Sequence, residues 1–256
     1  MKALHTIAAV ATSLAALLLA GCTTTQSGPA TSDSSAAEYN VQLGYAYLRQ
    51  GNLSVAKEKL ERAAEQDPRS SAVHSALGLL YERLGDTRAA DRHYSTALRL
   101  APRDPEIENN YAIYLCRNER VAEGVKRFEH AARNPLYRTP EAAYTNAGVC
   151  QRGAGLNAEA EANFRRALQL RPNYAEAAYQ LGDLRLQKGE TDAARTDLDI
   201  YLSSFRATPE LLLLRVRIAR ATGDRVAEEK FSRMLRMDFP DSEQTRALGT
   251  LTRNPG

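Results

Sequence analysis

The sequence predicts an all-α fold, a right-handed superhelical solenoid of six helix–turn–helix repeats. Three observations predict it. Gly51, Gly85, Glu119, Gly155, Gly189 and Gly223 recur at intervals of 34, 34, 36, 34 and 34 residues. Small residues keep the same period ahead of them (Gly44, Gly78, Ala112, Gly148, Gly182) and behind them (Ala56, Ala90, Gly124, Ala160, Ala194). Large residues follow four places later at Leu60, Tyr94, Phe128, Phe164 and Leu198. A fixed period of this length is the signature of stacked repeats, each too small to bury its apolar face alone.

The chain opens with a leader, residues 1–21. Lys2 supplies a positive start, and the apolar run Ile7 to Ala20 is too short to span a bilayer core of about 30 Å as a helix but suits a secretory signal. It ends in Leu19-Ala20-Gly21-Cys22, which looks like a bacterial lipobox, so Cys22 is the expected site of lipidation. In bacteria that sort lipoproteins by an Asp after this Cys, Thr23 in its place implies release to the outer membrane. Residues 22–36, the lipidated Cys and a Ser/Thr/Gly/Pro-rich stretch, are expected to be a flexible tether because they bury too little to offset their ordering entropy.

Six units are expected at 37–70, 71–104, 105–140, 141–174, 175–208 and 209–240. Within each, small residues at the eighth and twentieth places let helix A and helix B approach, and the large residues fill the space between them. The Gly after helix A takes a left-handed conformation that other residues resist. Pro68, Pro102, Pro172 and Pro240 close units, where proline tolerates a turn or first helical turn but not a helix interior. The fifth unit carries Tyr201 at a place that is usually small. In the sixth, Ala227 and Phe231 are displaced by one place, and Gly223 and Pro240 hold the register. The third unit is two residues longer and ends in Asn134-Pro135-Leu136-Tyr137-Arg138-Thr139-Pro140. Residues 241–256 form a cap and tail, in which Asp241 followed by Gln244 marks the start of a short polar helix. From Ala37 to Pro240 the chain resembles the tetratricopeptide repeat (TPR) family.

Cys116 and Cys150 remain as an even pair in a chain bound for the periplasm, where disulfides persist. They fall on helices A of consecutive units, which are neighbours in such a stack. A bridge across the longest junction is the expectation, and two buried free thiols packing as small apolar groups are the alternative. The four histidines are scattered, so neither metal nor cofactor is expected.

No Gly-rich phosphate loop, zinc-hydrolase helix or nucleophile elbow is present, so the chain reads as a binding protein and not an enzyme, with no small-molecule substrate. The net charge of +3 and the lack of a basic stripe argue against nucleic acid. His74 reads as a packing residue. A concave groove is expected along helix A at its second, fifth, ninth, twelfth and thirteenth places. Val41, Tyr45, Leu48 and Leu79 would make an apolar partner-binding patch there. Asn109, Asn110, Arg117, Asn146 and Arg152 would make a polar one in the middle units, or else bond locally within the stack.

The stretches Asn109-Asn110-Tyr111-Ala112-Ile113-Tyr114-Leu115-Cys116, Asn134 to Pro140, and Asn146-Ala147-Gly148-Val149-Cys150 resemble the signature segments of the type IV pilus biogenesis lipoproteins PilF and PilW. Ala112 departs from the Gly expected in the first. The resemblance covers nearly the whole chain and favours the Cys116–Cys150 bridge. It implies a pilotin at the periplasmic face of the outer membrane, anchored by lipid in the inner leaflet, with the pilus secretin as partner. The competing expectation is a repeat lipoprotein that scaffolds cell-wall hydrolases or outer-membrane protein assembly.

Overall fold

The computed structural model describes residues 30–253, with side chains from 33 to 249. The expected leader, Cys22 and the first part of the tether lie outside the described residues. Twelve helices pair as six hairpins: α1 (Ala30–Arg49) with α2 (Leu53–Gln66), α3 (Ser71–Arg83) with α4 (Thr87–Leu100), α5 (Pro105–Arg117) with α6 (Val121–Arg133), α7 (Pro140–Gly153) with α8 (Asn157–Leu170), α9 (Ala175–Gln187) with α10 (Thr191–Ser204), and α11 (Pro209–Ala221) with α12 (Arg225–Asp238). Helix α13 (Glu243–Arg253) packs on the last pair. Successive helices A also touch, α1 on α3 and onward to α9 on α11, so the stack is continuous.

The periodic residues do what their spacing requires. A methyl group on Gly78 would come within 2.8 Å of the Tyr94 ring, and one on Gly148 within 2.5 Å of Phe164. The small residue at the eighth place, Ala112 in the third hairpin and glycine in the others of the series, is therefore the slot for the large residue of the same hairpin. Leu60, Tyr94, Phe128, Phe164 and Leu198 are all buried in these slots, each stabilising its pair by about 1.5–3 kcal/mol. The five turn glycines have φ between 70° and 79°. Glu119, their counterpart in the third hairpin, has φ of 60°, a conformation that costs a side-chain-bearing residue free energy.

Local chemistry sets the helix starts. Asn52, Ser70, Asp86, Asp104, Thr208 and Asp224 accept hydrogen bonds from backbone amides of the first turn. Pro105, Pro140 and Pro209 occupy first-turn positions, where no amide is needed.

Two boundaries differ from the sequence reading. Helix α1 begins at Ala30, so residues 30–36 are helical and not tether. Asp33 lies in its first turn, favourable to the helix dipole, and Ala37 is already buried in the first hairpin. The cap helix α13 starts from Ser242, whose hydroxyl accepts from the Thr245 amide, and not from Asp241. It is also more than polar cover, since Leu248 is buried against α11 and α12. The long third junction is structural as well: Tyr137 inserts among Ala112, Phe128, Ala131, Ala143 and Ala147, filling the space between the third and fourth hairpins. Asn134 fixes the loop by donating to the Arg103 carbonyl at 2.9 Å.

Candidate partner-binding groove

The ninth place of helix A forms a ladder along the stack: Tyr45, Leu79, Ile113, Val149, Asp183 and Arg217. The first four are apolar or aromatic and only partly covered, and Val149 is 43% exposed. They line two adjoining clefts that share Ile113 and Arg117. One, of about 280 Å³, is walled by Tyr45, Ser75, Leu79 and Asn110 over the first three hairpins. The other, of about 640 Å³, lies over the third and fourth and includes Asn146, Val149, Cys116 and Cys150.

The two cysteines are joined, with Cα atoms 5.6 Å apart, linking α5 to α7 in the wall of the larger cleft. Gly124, the small residue of α6 in this hairpin, faces the Cys116 sulfur, and a methyl group there would overlap it. Glycine in place of the usual alanine makes room for the bridge.

Glu82 organises the smaller cleft. Its carboxylate accepts from the Tyr94 hydroxyl at 3.2 Å and from Arg117 Nη1 at 3.0 Å. Burial pushes the Tyr94 phenol well above the ordinary tyrosine value, and the Glu82 charge adds to the effect. Burial also raises the Tyr45 phenol. Ser75 is buried beside it with no well-formed hydrogen bond, and the Tyr45 phenol is the polar group placed to engage its hydroxyl. Behind the cleft Tyr94, Tyr111 and Tyr114 pack ring on ring, with centroids 5.0 to 6.1 Å apart. Tyr111 donates to Asp91 at 2.9 Å, and burial, with that bond, raises it to about 12. These phenols stay neutral donors at any physiological pH.

Beyond the fourth hairpin the ladder changes character. Asp183 is buried and accepts from Arg152 at 2.5 Å and from Arg217 at 2.8 Å, while Arg152 also donates to Gln180. A charged network thus closes the apolar run.

Several expected site residues lie elsewhere than a groove surface. Val41 and Leu48 are core, 6% and 3% exposed, packed with Val73, Ala76, Leu77 and Leu80. Val41 at the fifth place and Leu48 at the twelfth are enclosed in the shared core of the first two hairpins. Asn109, also at a fifth place, is buried and accepts from Asn146 Nδ2 at 3.2 Å, a bond between hairpins. Arg152 is committed to Asp183. Tyr45, Leu79, Asn110, Arg117 and Asn146 do line the clefts. Ile113 and Val149, missed in the sequence reading, are the register mates of Tyr45 and Leu79, and extending that register by one unit at a time finds both.

Two tetratricopeptide-repeat profiles match the chain, one over residues 41–105 and 75–135 and the other over 152–218. The type IV pilus assembly protein PilF of Pseudomonas aeruginosa is 29% identical over 241 residues, which are 93% of this chain and 96% of that one. A solved structure of Pseudomonas aeruginosa PilF superposes with a TM-score of 0.65 at 27% identity, covering 86% of this chain and 99% of the other. The crystal structure of PilW, a widely conserved type IV pilus biogenesis factor, gives a TM-score of 0.65 at 29% identity, covering 83% and 97%.

Proposed function

Because the chain belongs to the tetratricopeptide repeat family and is similar to PilF and PilW over most of its length, we propose that it serves type IV pilus biogenesis as a pilotin. It binds the pilus secretin, or an assembly intermediate of it, and helps the secretin reach the outer membrane and form its multimer. The observation that carries this reading is the near end-to-end likeness to PilF, 93% of one chain on 96% of the other. The likeness extends past the repeats themselves, which a generic scaffold would share only in part.

The mechanism is binding without chemistry. The groove of the first four hairpins offers Tyr45, Leu79, Ile113 and Val149 as apolar anchors, and Arg117 and Asn110 as polar groups at their edge. At protein interfaces a few well-packed, desolvated residues carry most of the binding energy, and Tyr and Arg are enriched among them, which singles out Tyr45 and Arg117. The lipobox ending at Cys22 supports anchorage in the inner leaflet of the outer membrane, where multiple acyl chains hold a protein stably.

The test replaces Ile113 and Val149 with Asp in cells whose own copy is deleted. Secretin multimers in the outer membrane should fall and monomer should accumulate, while helical content of the purified variant stays at the wild-type level. Wild-type multimer levels with intact helicity would remove the groove from the pathway. Unaltered multimers in the deletion itself would remove the pilotin role.

A further inference from the structure

The second hairpin holds a contact unlike any other among the described residues: two histidines meeting end on. His74 of α3 and His93 of α4 place their Nδ1 atoms 3.0 Å apart, with ring centroids 5.3 Å apart. His74 Nε2 lies 3.1 Å from the Pro68 carbonyl, which can only accept, so this nitrogen carries a proton. Neutral His74 therefore presents a bare Nδ1, and the proton between the rings belongs to His93. A stacked Tyr81 ring, tilted by 8°, holds His93 in this orientation.

We propose that the His74–His93 contact is an acid-released latch on the second hairpin. The contact has room for one proton. A second proton on His74 Nδ1 sets two N–H groups against each other and breaks the bond between α3 and α4. The groups around the pair do not relieve the added charge. Tyr81 on α3 is neutral, and Arg92 on α4 is a further cation. The Asp67 carboxylate, in the loop from α2, is engaged by the Arg69 amide. Asp91 on α4 accepts from Tyr111 of α5 and from Arg120 in the turn before α6. Glu108 of α5 is paired with Arg127 and His130.

Burial lowers the His93 value, and His74 and Arg92 lower it further. The sign follows from linkage. The unfolded chain takes up protons from about pH 6.5 downward, while the folded chain resists them. The stability that His93 contributes is present above that pH and is lost as the pH falls below it. Helix α3 carries Ser75, Leu79 and Glu82 into the smaller cleft, so release of the latch loosens the groove floor. The latch stands on the imidazole geometry, and its bearing on partner capture rests on the groove reading above.

The experiment has two arms on the full chain. Nitrogen-15 histidine spectra of the wild type, followed from pH 8 to 5, should show a bare Nδ1 on His74 and a protonated Nδ1 on His93 at the upper end. Proton uptake by His93 should come at a lower pH than that of an ordinary imidazole. Thermal unfolding at pH 7.5 and 5.0 is then compared between wild type and a His74→Asn, His93→Gln double variant. The wild type should lose about 2–4 °C more on acidification than the variant for each kcal/mol the pair gives up. Two imidazoles titrating independently at ordinary values would overturn the latch, and so would equal acid losses in the two proteins. If the variant does not fold, the wild-type spectra alone decide, and neither arm depends on secretin assembly.

Discussion

Gly124 on α6 and Cys116 on α5 share one space: the sulfur of the bridge occupies the volume that an alanine methyl fills in the neighbouring hairpins. Gly124→Ala should overpack this joint and destabilise the oxidised protein by about 1–3 kcal/mol. The penalty should shrink when Cys116 is also changed to Ala, because the overlap is with the sulfur. Urea unfolding of the two single variants and the double variant measures the coupling. Strict additivity would show that position 124 acts through something other than the bridge.

Removing the bridge itself with Cys116→Ser and Cys150→Ser should cost about 3–4 kcal/mol, the entropy of closing a loop of this size in the unfolded chain. The loss should be local, since a solenoid's stability is a sum of unit and neighbour contributions. Hydrogen exchange should speed up in α5 to α8 more than in α1, α2, α11 and α12. Uniform acceleration along the chain would contradict this.

Glu119→Gly should stabilise the protein by about 0.5–1 kcal/mol. Its φ of 60° is taken by glycine at the other five turns, and relief of that strain outweighs the added freedom of glycine in the unfolded chain. A rise in the urea midpoint with unchanged slope is the expected result.

Leu48 and Val149 separate core from groove. Leu48→Ala should cost about 2–5 kcal/mol because the side chain is enclosed. Val149→Ser should stay within about 0.5 kcal/mol of wild type, since it is half in solvent. Thermal melts of the two variants test the assignment, and a large loss in Val149→Ser would return the ninth-place ladder to the core.

Cys22→Ser should release the protein from outer-membrane fractions into the soluble periplasm, as expected if Leu19 to Cys22 directs lipidation. Retention at wild-type yield would sink the lipid anchor.

The hairpins and their order were legible because most are specified three times over, by a small slot residue, by the large residue that fills it and by a turn glycine; the third has Ala112 and Glu119 at these places, and the sixth keeps its turn glycine, Gly223. The bridge was legible as a pairing, but Gly124 as its counterpart was not, since a glycine in the small-residue series looks like any other member. The groove was half legible. Periodicity names the places on helix A, but which places stay open depends on the neighbouring hairpin, and that covering is a tertiary fact. Val41 and Asn109 sit at the fifth place and are buried, whereas Tyr45 and Ile113 at the ninth are only partly covered. The early start of α1 escaped for a similar reason: a polar composition argues against a helix standing alone, but not against one extended backward from the buried Ala37.

The change along the ladder, from Tyr45, Leu79, Ile113 and Val149 to Asp183 and Arg217, makes the two ends of the groove unlike each other. A ladder of one residue type would offer the same side-chain chemistry at both ends of the groove. Here one orientation puts the segment's greasy end on the early hairpins and its polar end beside the Arg152–Asp183–Arg217 network, and the reverse strands apolar groups against buried charge. The groove therefore has polarity, like a one-way track. A segment seated on it would leave its trailing end on a fixed side.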